Sequence, residues 1–176
     1  MATNWKIDPT HSEIQFKVKH LMITTVTGNF NEFDASAVTE GDDFSSVSSV
    51  DFTASVESIS TNNSQRDEHL RSADFFDASQ FPALTFKSTR VEADGDDYTV
   101  YGDLTIKNTT KPVSLKAEYG GIVVDPYGQT KAGFTVSGKI SRKEFGLTWS
   151  AVTEAGQVVV SDDIRLNAEI QFVKQA

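Results

Sequence analysis

Apolar and polar residues alternate along most of this chain. In the clearest case, Ile14, Phe16 and Val18 alternate with glutamine and lysine. A period of two residues is typical of β-strands that bury one face. The same alternation recurs at residues 50–56, 84–86, 100–106, 113–119, 134–140, 145–149 and 164–172. The pattern therefore predicts about eight strands.

The segments between these runs are short and rich in turn-forming residues, as in EADGDD, KNTTKP and DPYGQ. Strands joined by short turns pair antiparallel. The chain has 176 residues and shows no long helical pattern or linker. We therefore expect one all-β domain over residues 1–176, an antiparallel up-and-down barrel of about eight strands, with a sandwich as the alternative.

Several of the predicted inward-facing rows carry a small residue between larger ones. A barrel of about eight strands has an interior that side chains can fill or that can hold one small ligand. Small central residues favour a hollow barrel. Alternatively, glycines bend the strands and alanines fit the taper of a filled core. The small residues are Ala54, Gly102, Ala117, Gly138 and Ala168.

One charged segment, NNSQRDEHLRSADFF at residues 62–76, departs from the alternation. Ser64 and Asp67 fit the capping-box pattern, so a short helix is predicted to begin near Asn63 or Ser64. Its apolar edge is too narrow for a core helix, which places it at an end of the barrel. It is either a solvated connector or a rim that meets a polar head group. Three polar residues at a spacing of three would share that rim: Asn63, Arg66 and His69.

The net charge of the chain limits the kinds of partner that it can bind. The chain has 16 basic and 25 acidic residues, a formal net charge of -9. Such a surface repels nucleic-acid backbones and anionic membranes, so we expect no nucleic-acid partner. No apolar run approaches the length of a membrane span, so we expect no stable membrane insertion. No signal-peptide pattern is visible, which predicts a cytoplasmic protein, or a periplasmic one if a signal has been removed.

Candidate catalytic and metal chemistry is sparse. The chain has no cysteine, and its histidines are not at metal-ligand spacing. No metal or other cofactor is therefore predicted. GFTVSGK at residues 133–139 matches the start of a phosphate-binding loop, but Ile140 stands where Ser or Thr would bind magnesium. That segment also alternates like a strand, which argues against the loop.

Four segments are spread over nearly the whole chain: WKIDPTHSEIQFKVKHLMITTVTGNFNEF at 5–33, RDEHLRSADFFDASQFPALTFKST at 66–89, GDLTIKNTTKPVSL at 102–115 and SRKEFGLTW at 141–149. Together they resemble the YceI-like family, also called polyisoprenoid-binding proteins. The resemblance implies a lipocalin-like barrel with an elongated apolar tunnel for an isoprenoid chain, either a quinone or a polyprenyl phosphate. Some relatives are linked to fatty-acid-type ligands, and the family has no agreed catalytic residues.

The resemblance and the alternation together predict the site. Head-group contacts are expected from the charged insert and from one further arginine, because a guanidinium is a bidentate donor. These head-group residues are Asn63, Arg66, His69 and Arg142. The tunnel is expected to be lined by Phe16, Phe52, Ala54, Leu70, Phe75, Phe76, Phe86, Gly102, Leu104, Phe134, Val136, Gly138, Leu147, Trp149 and Ala168.

The sequence thus predicts a non-catalytic protein that carries or sequesters an amphiphilic isoprenoid or other long-chain lipid. Two alternatives stay open. One is an enzyme acting on an isoprenoid or fatty-acid-type ligand, with His20, His69 or a carboxylate as general base. The other is a stress-related structural barrel without a ligand. The sequence also leaves a homodimer open.

Overall fold

The strands form one antiparallel sheet that closes on itself. A computed structural model of the chain describes residues 2–21, 23–147 and 160–176. The strands are β1 (Ala2–Ile7), β2 (Glu13–His20), β3 (Thr24–Phe30), β4 (Phe33–Glu40), β5 (Ser49–Ser55), β6 (Ile59–Ser60), β7 (Ala83–Asp94), β8 (Asp97–Ile106), β9 (Thr109–Val124), β10 (Thr130–Ser141) and β11 (Val160–Lys174). The α-helix, α1, spans Ser64–Arg71.

Eight strands make the closed barrel, in the order β1-β4-β5-β7-β8-β9-β10-β11, and β11 pairs with β1 to complete the ring. Most neighbours in the ring are also consecutive in the sequence, because the turns between them are short. The predicted all-β antiparallel barrel of about eight strands is confirmed. The remaining strands, β2, β3 and β6, extend the sheet from β11.

Strand β11 changes partner along one of its edges. Residues 160–169 pair with β2, and residues 172–174 pair with β1. Between β1 and β2 the chain makes a 3-10 turn, Pro9–His11, because proline lacks the N–H that a strand would donate. The Asp8 carboxylate caps this turn by accepting a hydrogen bond of 3.0 Å from the Thr10 amide.

The helix predicted from the charged segment is present. It begins after Asn63, whose side-chain oxygen accepts a hydrogen bond of 3.0 Å from the Arg66 amide. The chain then turns back, with the Phe76 amide donating to the Leu70 carbonyl at 3.0 Å. Residues 61–82 therefore connect β6, at the outer edge of the extension, to β7 in the ring. Nowhere in the described part of the chain is a helix long and apolar enough to cross a membrane.

Two apolar clusters lie inside the barrel, one toward each end. The first surrounds Trp5, which is 0% exposed and donates its indole N–H to the Thr39 hydroxyl at 2.8 Å. The second includes Phe30 and Phe76 and lies beneath α1. Strands β10 and β11 run from one cluster to the other and lead to Arg142. We call the two ends the Trp5 end and the Arg142 end.

Candidate functional site

An apolar cavity of about 250 Å³ runs along the inside of the barrel. On β11, the inward-facing residues from Ile164 to Phe172 lie on its wall. At about 3.3 Å per residue, that row covers roughly 26 Å of strand. The cavity is therefore long and narrow, and the barrel is hollow. Of the five small residues that favoured a hollow barrel, Ala117 and Ala168 lie on the wall.

Most of the residues predicted to line a tunnel do lie on the wall of this cavity. Whether they contact a ligand stays a prediction. Trp149 lies outside the described residues. The predicted residues on the wall are Phe16, Phe52, Leu70, Phe75, Phe76, Phe86, Leu104, Phe134, Val136, Leu147 and Ala168.

Three of the predicted wall residues, Ala54, Gly102 and Gly138, lie elsewhere, which corrects the prediction. Ala54 is 1% exposed and is packed into the apolar core. A Cβ atom on Gly102 would lie 2.5 Å from Phe86 Cζ, and one on Gly138 would lie 2.5 Å from Leu115 Cδ2. The glycines thus make room for neighbouring side chains that form the wall, and do not themselves open the cavity.

The Trp5 end of the cavity is closed by aromatic rings. Phe44 lies on the wall there and comes from a 3-10 turn, Phe44–Ser46, in the connection between β4 and β5. Its ring centroid is 4.7 Å from that of Trp5 and 4.9 Å from that of Phe134. The alternation gives no sign of Phe44, because this residue follows the turn segment TEGDD and belongs to no alternating run.

Two carboxylates, those of Asp43 and Asp96, act on the Trp5 end of the cavity. Tyr98 lies on the cavity wall near Phe44 and packs against Phe134. Burial raises the pKa of the Tyr98 phenol, and the charges of Asp43 and Asp96 raise it further. Carboxylates that disfavour a phenolate here would also disfavour an anionic ligand group.

The opposite end holds a buried cation. Arg142 lies on the cavity wall and is 1% exposed. Its guanidinium donates to the carbonyls of Leu147 (2.7 Å), Ser161 (2.9 Å) and Val160 (3.3 Å). Burial lowers the pKa of Arg142, and the charge of Asp162 opposes that shift. The predicted head-group residue Arg142 is therefore at the cavity, although these three of its hydrogen bonds go to the backbone.

A carboxylate fixes the turn that carries Arg142. The Asp162 side chain accepts hydrogen bonds from the Ser141 hydroxyl (2.5 Å) and the Lys143 amide (3.1 Å). The bond from Ser141 is the largest influence and lowers the pKa of Asp162, although burial acts against it. Asp162 is thus charged at neutral pH and holds the residues on both sides of Arg142.

The polar residues of the charged insert do not lie on the cavity wall, and their contact with a head group stays a prediction. Arg66 donates to the Thr61 hydroxyl (2.8 Å) and to the Thr61 carbonyl (2.7 Å), because its side chain folds back over the start of α1. Asn63 caps the helix, as described above. His69 Nε2 lies 3.0 Å from an Asp74 carboxylate oxygen, and its ring packs edge-on against Phe75.

What the insert does contribute is apolar. Leu70, Phe75 and Phe76 lie on the cavity wall, so the two phenylalanines after the charged run close the barrel beside α1. Among the described residues, no group of His, Asp and Glu side chains is arranged to hold a metal ion. The arrangement can enclose an apolar chain and places a positive charge at one end of it.

Comparisons with known proteins identify the family. A family model, the YceI-like domain, matches residues 5–172. A UPF0312 protein of Pectobacterium atrosepticum is 38% identical over 177 residues, covering 99% of this chain and 88% of its own. A UPF0312 protein of Yersinia pestis is 39% identical over 176 residues, covering 99% of this chain and 89% of its own.

Solved structures agree. The Campylobacter jejuni YceI protein is 34% identical with a TM-score of 0.77, and 90% of each chain is covered. The fold is shared with Burkholderia cenocepacia BcnA, at 22% identity, a TM-score of 0.80 and coverage of 94% and 98%. It is also shared with a polyisoprenoid binding domain from Saccharophagus degradans, at 14% identity, a TM-score of 0.69 and coverage of 97% and 98%. This chain therefore belongs to the YceI-like family.

Proposed function

We propose that this protein binds an amphiphilic isoprenoid lipid, either a quinone or a polyprenyl phosphate, and carries or sequesters it without changing it chemically. The observation that carries the proposal is the long apolar cavity inside the barrel. Burial of an apolar chain there is favourable by about 25 cal/mol per Å² removed from water. The family membership and the polyisoprenoid binding domain among the structural neighbours support the same ligand class.

The charges at the two ends favour one orientation of the ligand. Asp43 and Asp96 place negative charge near the Trp5 end, which disfavours an anionic or electron-rich head there. Arg142 places a buried positive charge at the other end, where the low dielectric strengthens its attraction for such a head and the charge of Asp162 offsets part of it. The tail therefore points to the Trp5 end and the head group lies at the Arg142 end. The attraction comes from the charge of Arg142, whereas its guanidinium donates to the carbonyls of Leu147, Ser161 and Val160.

Carriage is favoured over catalysis by the chemistry of the wall. The ionisable side chains on the wall, among the described residues, are Arg142 and Tyr98. An arginine stays protonated in proteins, and the raised pKa of Tyr98 keeps its phenol neutral, so neither is suited to act as a general base near pH 7. His20 and His69, the bases of the enzymatic alternative, do not lie on this wall.

A titration of lipid-free protein tests the proposal. The ligands are a prenyl quinone, a polyprenyl phosphate and their soluble head groups without tails, with binding followed by tryptophan fluorescence or calorimetry. We expect the tailed ligands to bind and to be recovered unchanged, because the tail contributes most of the buried apolar area. Equal binding of the tailless head groups, or a chemically altered ligand after incubation, would contradict the proposal.

A further inference from the structure

We propose that Phe44 sets the length of the isoprenoid tail that the barrel accepts. This inference rests on the proposed function, because it needs a tail that enters from the Arg142 end. It adds a specificity-determining residue at the closed end of the cavity. Shortening the Phe44 side chain should extend the accepted tail by about one isoprene unit.

Phe44 is the surface that the tip of such a tail would meet. Its ring lies on the cavity wall, whereas Trp5, at a centroid distance of 4.7 Å from it, does not. Phe44 therefore separates the cavity from Trp5. Thr39 holds the Trp5 indole through a hydrogen bond of 2.8 Å, so a firm second surface lies behind the Phe44 ring.

The Phe44 ring is held in place by its neighbours. Its centroid is 4.9 Å from Phe134, 6.0 Å from Tyr119 and 6.4 Å from Phe172. These distances lie within the range of favourable aromatic pairs. A ring packed on several sides does not move aside cheaply, so the tail stops where the ring begins.

The position of Phe44 in the chain makes it adjustable without disturbing the barrel. It belongs to the connection between β4 and β5 and not to a strand of the ring. The Asp43 carboxylate accepts from the Ser45 amide at 2.9 Å and fixes the turn through atoms that a change at residue 44 leaves intact. Substitution of the Phe44 side chain should therefore alter the depth of the cavity and leave the sheet closed.

The expected change in the length of the accepted tail follows from the volume of the Phe44 ring. An apolar cavity of about 150 Å³ holds one benzene molecule. Removing a six-carbon ring therefore frees room for about one five-carbon isoprene unit. Burial of the extra unit should strengthen binding about tenfold or more, because each buried carbon adds to the favourable transfer from water. In the wild type the extra isoprene unit would remain in water and add little to the affinity.

A series of prenyl alcohols that differ by one isoprene unit tests the inference. Each alcohol competes with an environment-sensitive apolar dye for lipid-free wild type, Phe44→Ala and Phe44→Leu. The matched control is Phe16→Ala, which removes the same ring from the cavity wall in the other apolar cluster. Circular dichroism establishes that each variant is folded, and Phe44→Leu serves if Phe44→Ala is not.

We expect the tightest-binding alcohol to be about one unit longer for Phe44→Ala than for the wild type, and to shift in the same direction but less for Phe44→Leu. Phe16→Ala should change the affinity for all lengths without shifting the preferred one. An unchanged preference in both Phe44 variants, or an equal shift in Phe16→Ala, would overturn the role of Phe44 and leave the proposed function standing. Failure of every alcohol to bind every protein would overturn both.

Discussion

Two alanines on different strands of the same barrel should respond oppositely to the same substitution, Ala→Leu. Ala168 lies on the cavity wall, so the three added carbons of a leucine would enter empty space. Ala54 is 1% exposed, is packed among core side chains and is not on the cavity wall. The sequence pattern makes the two residues equivalent, and the structure separates them.

The magnitudes follow from burial and packing. Three carbons buried at about 0.8 kcal/mol each, less about 0.5–1 kcal/mol of side-chain entropy, should raise the free energy of unfolding of lipid-free Ala168→Leu by about 1–2 kcal/mol. Ala54→Leu should lower it by about 1–3 kcal/mol, because the core there has no space for the added carbons. The two variants therefore differ in the sign of the change in the free energy of unfolding.

Urea denaturation of the lipid-free proteins measures both effects, and lipid titration adds an independent readout. Ala168→Leu should bind the lipid about tenfold or more weakly, since the leucine occupies volume that the tail needs. Ala54→Leu, if folded, should bind within about threefold of the wild type. If Ala168→Leu is destabilised as much as Ala54→Leu, the barrel is packed where the structure places the cavity, and the reasoning fails.

Three further predictions concern charged residues. Arg142→Met should lower the free energy of unfolding, measured in urea, by about 3 kcal/mol or more, because Arg142 is buried and hydrogen-bonded. The control is Arg90→Met: the Arg90 side chain is 62% exposed, so its loss should cost less than about 1 kcal/mol. Equal losses would contradict the buried role of Arg142. Burial raises the pKa of Asp8, but hydrogen bonds, the largest from Lys131, outweigh it and hold that pKa well below its usual range. Asp8 therefore stabilises the fold above about pH 4, and this stabilisation is lost as the pH falls. In Asp8→Asn, the free energy of unfolding should decrease less on acidification than in the wild type. An unchanged dependence of the free energy of unfolding on pH would contradict this role of Asp8. Arg66→Ala should leave the affinities for a polyprenyl phosphate and a neutral prenol unchanged within about twofold, because its guanidinium contacts Thr61; a selective loss for the phosphate would restore Arg66 as a head-group contact.

The barrel could be predicted from the sequence because the alternation that marks each strand lies within a short segment of the chain. Each run such as Ile14–Val18 shows which face is buried, and short turns leave antiparallel pairing as the simple outcome. The start of α1 was also readable, since Asn63 and Ser64 carry a capping signal. The extension formed by β2, β3 and β6 was not, because a strand such as β11 shows no sign in its sequence of changing partner between β2 and β1.

The candidate site was predictable only where it follows the alternation. Inward-facing Phe134 and Ala168 lie on the cavity wall as the pattern predicts. Gly102 does not, because a glycine can either leave space empty or yield it to a neighbour such as Phe86, and only three-dimensional packing decides between them. The partners of Arg66 were not predictable for a related reason: they are the Thr61 carbonyl and hydroxyl, which no spacing of charges along the chain indicates.

Mass spectrometry of the protein purified from its native cells tests the central claim most directly. A native spectrum shows whether a molecule is bound without a covalent link, and the organic extract of the same sample identifies it. We expect one prenyl-chain lipid per barrel, released unchanged by extraction. The same lipid should be depleted in Ala168→Leu, because its tail no longer fits the cavity. An empty barrel in lipid-rich cells, or a bound molecule without an isoprenoid tail, would contradict the central claim.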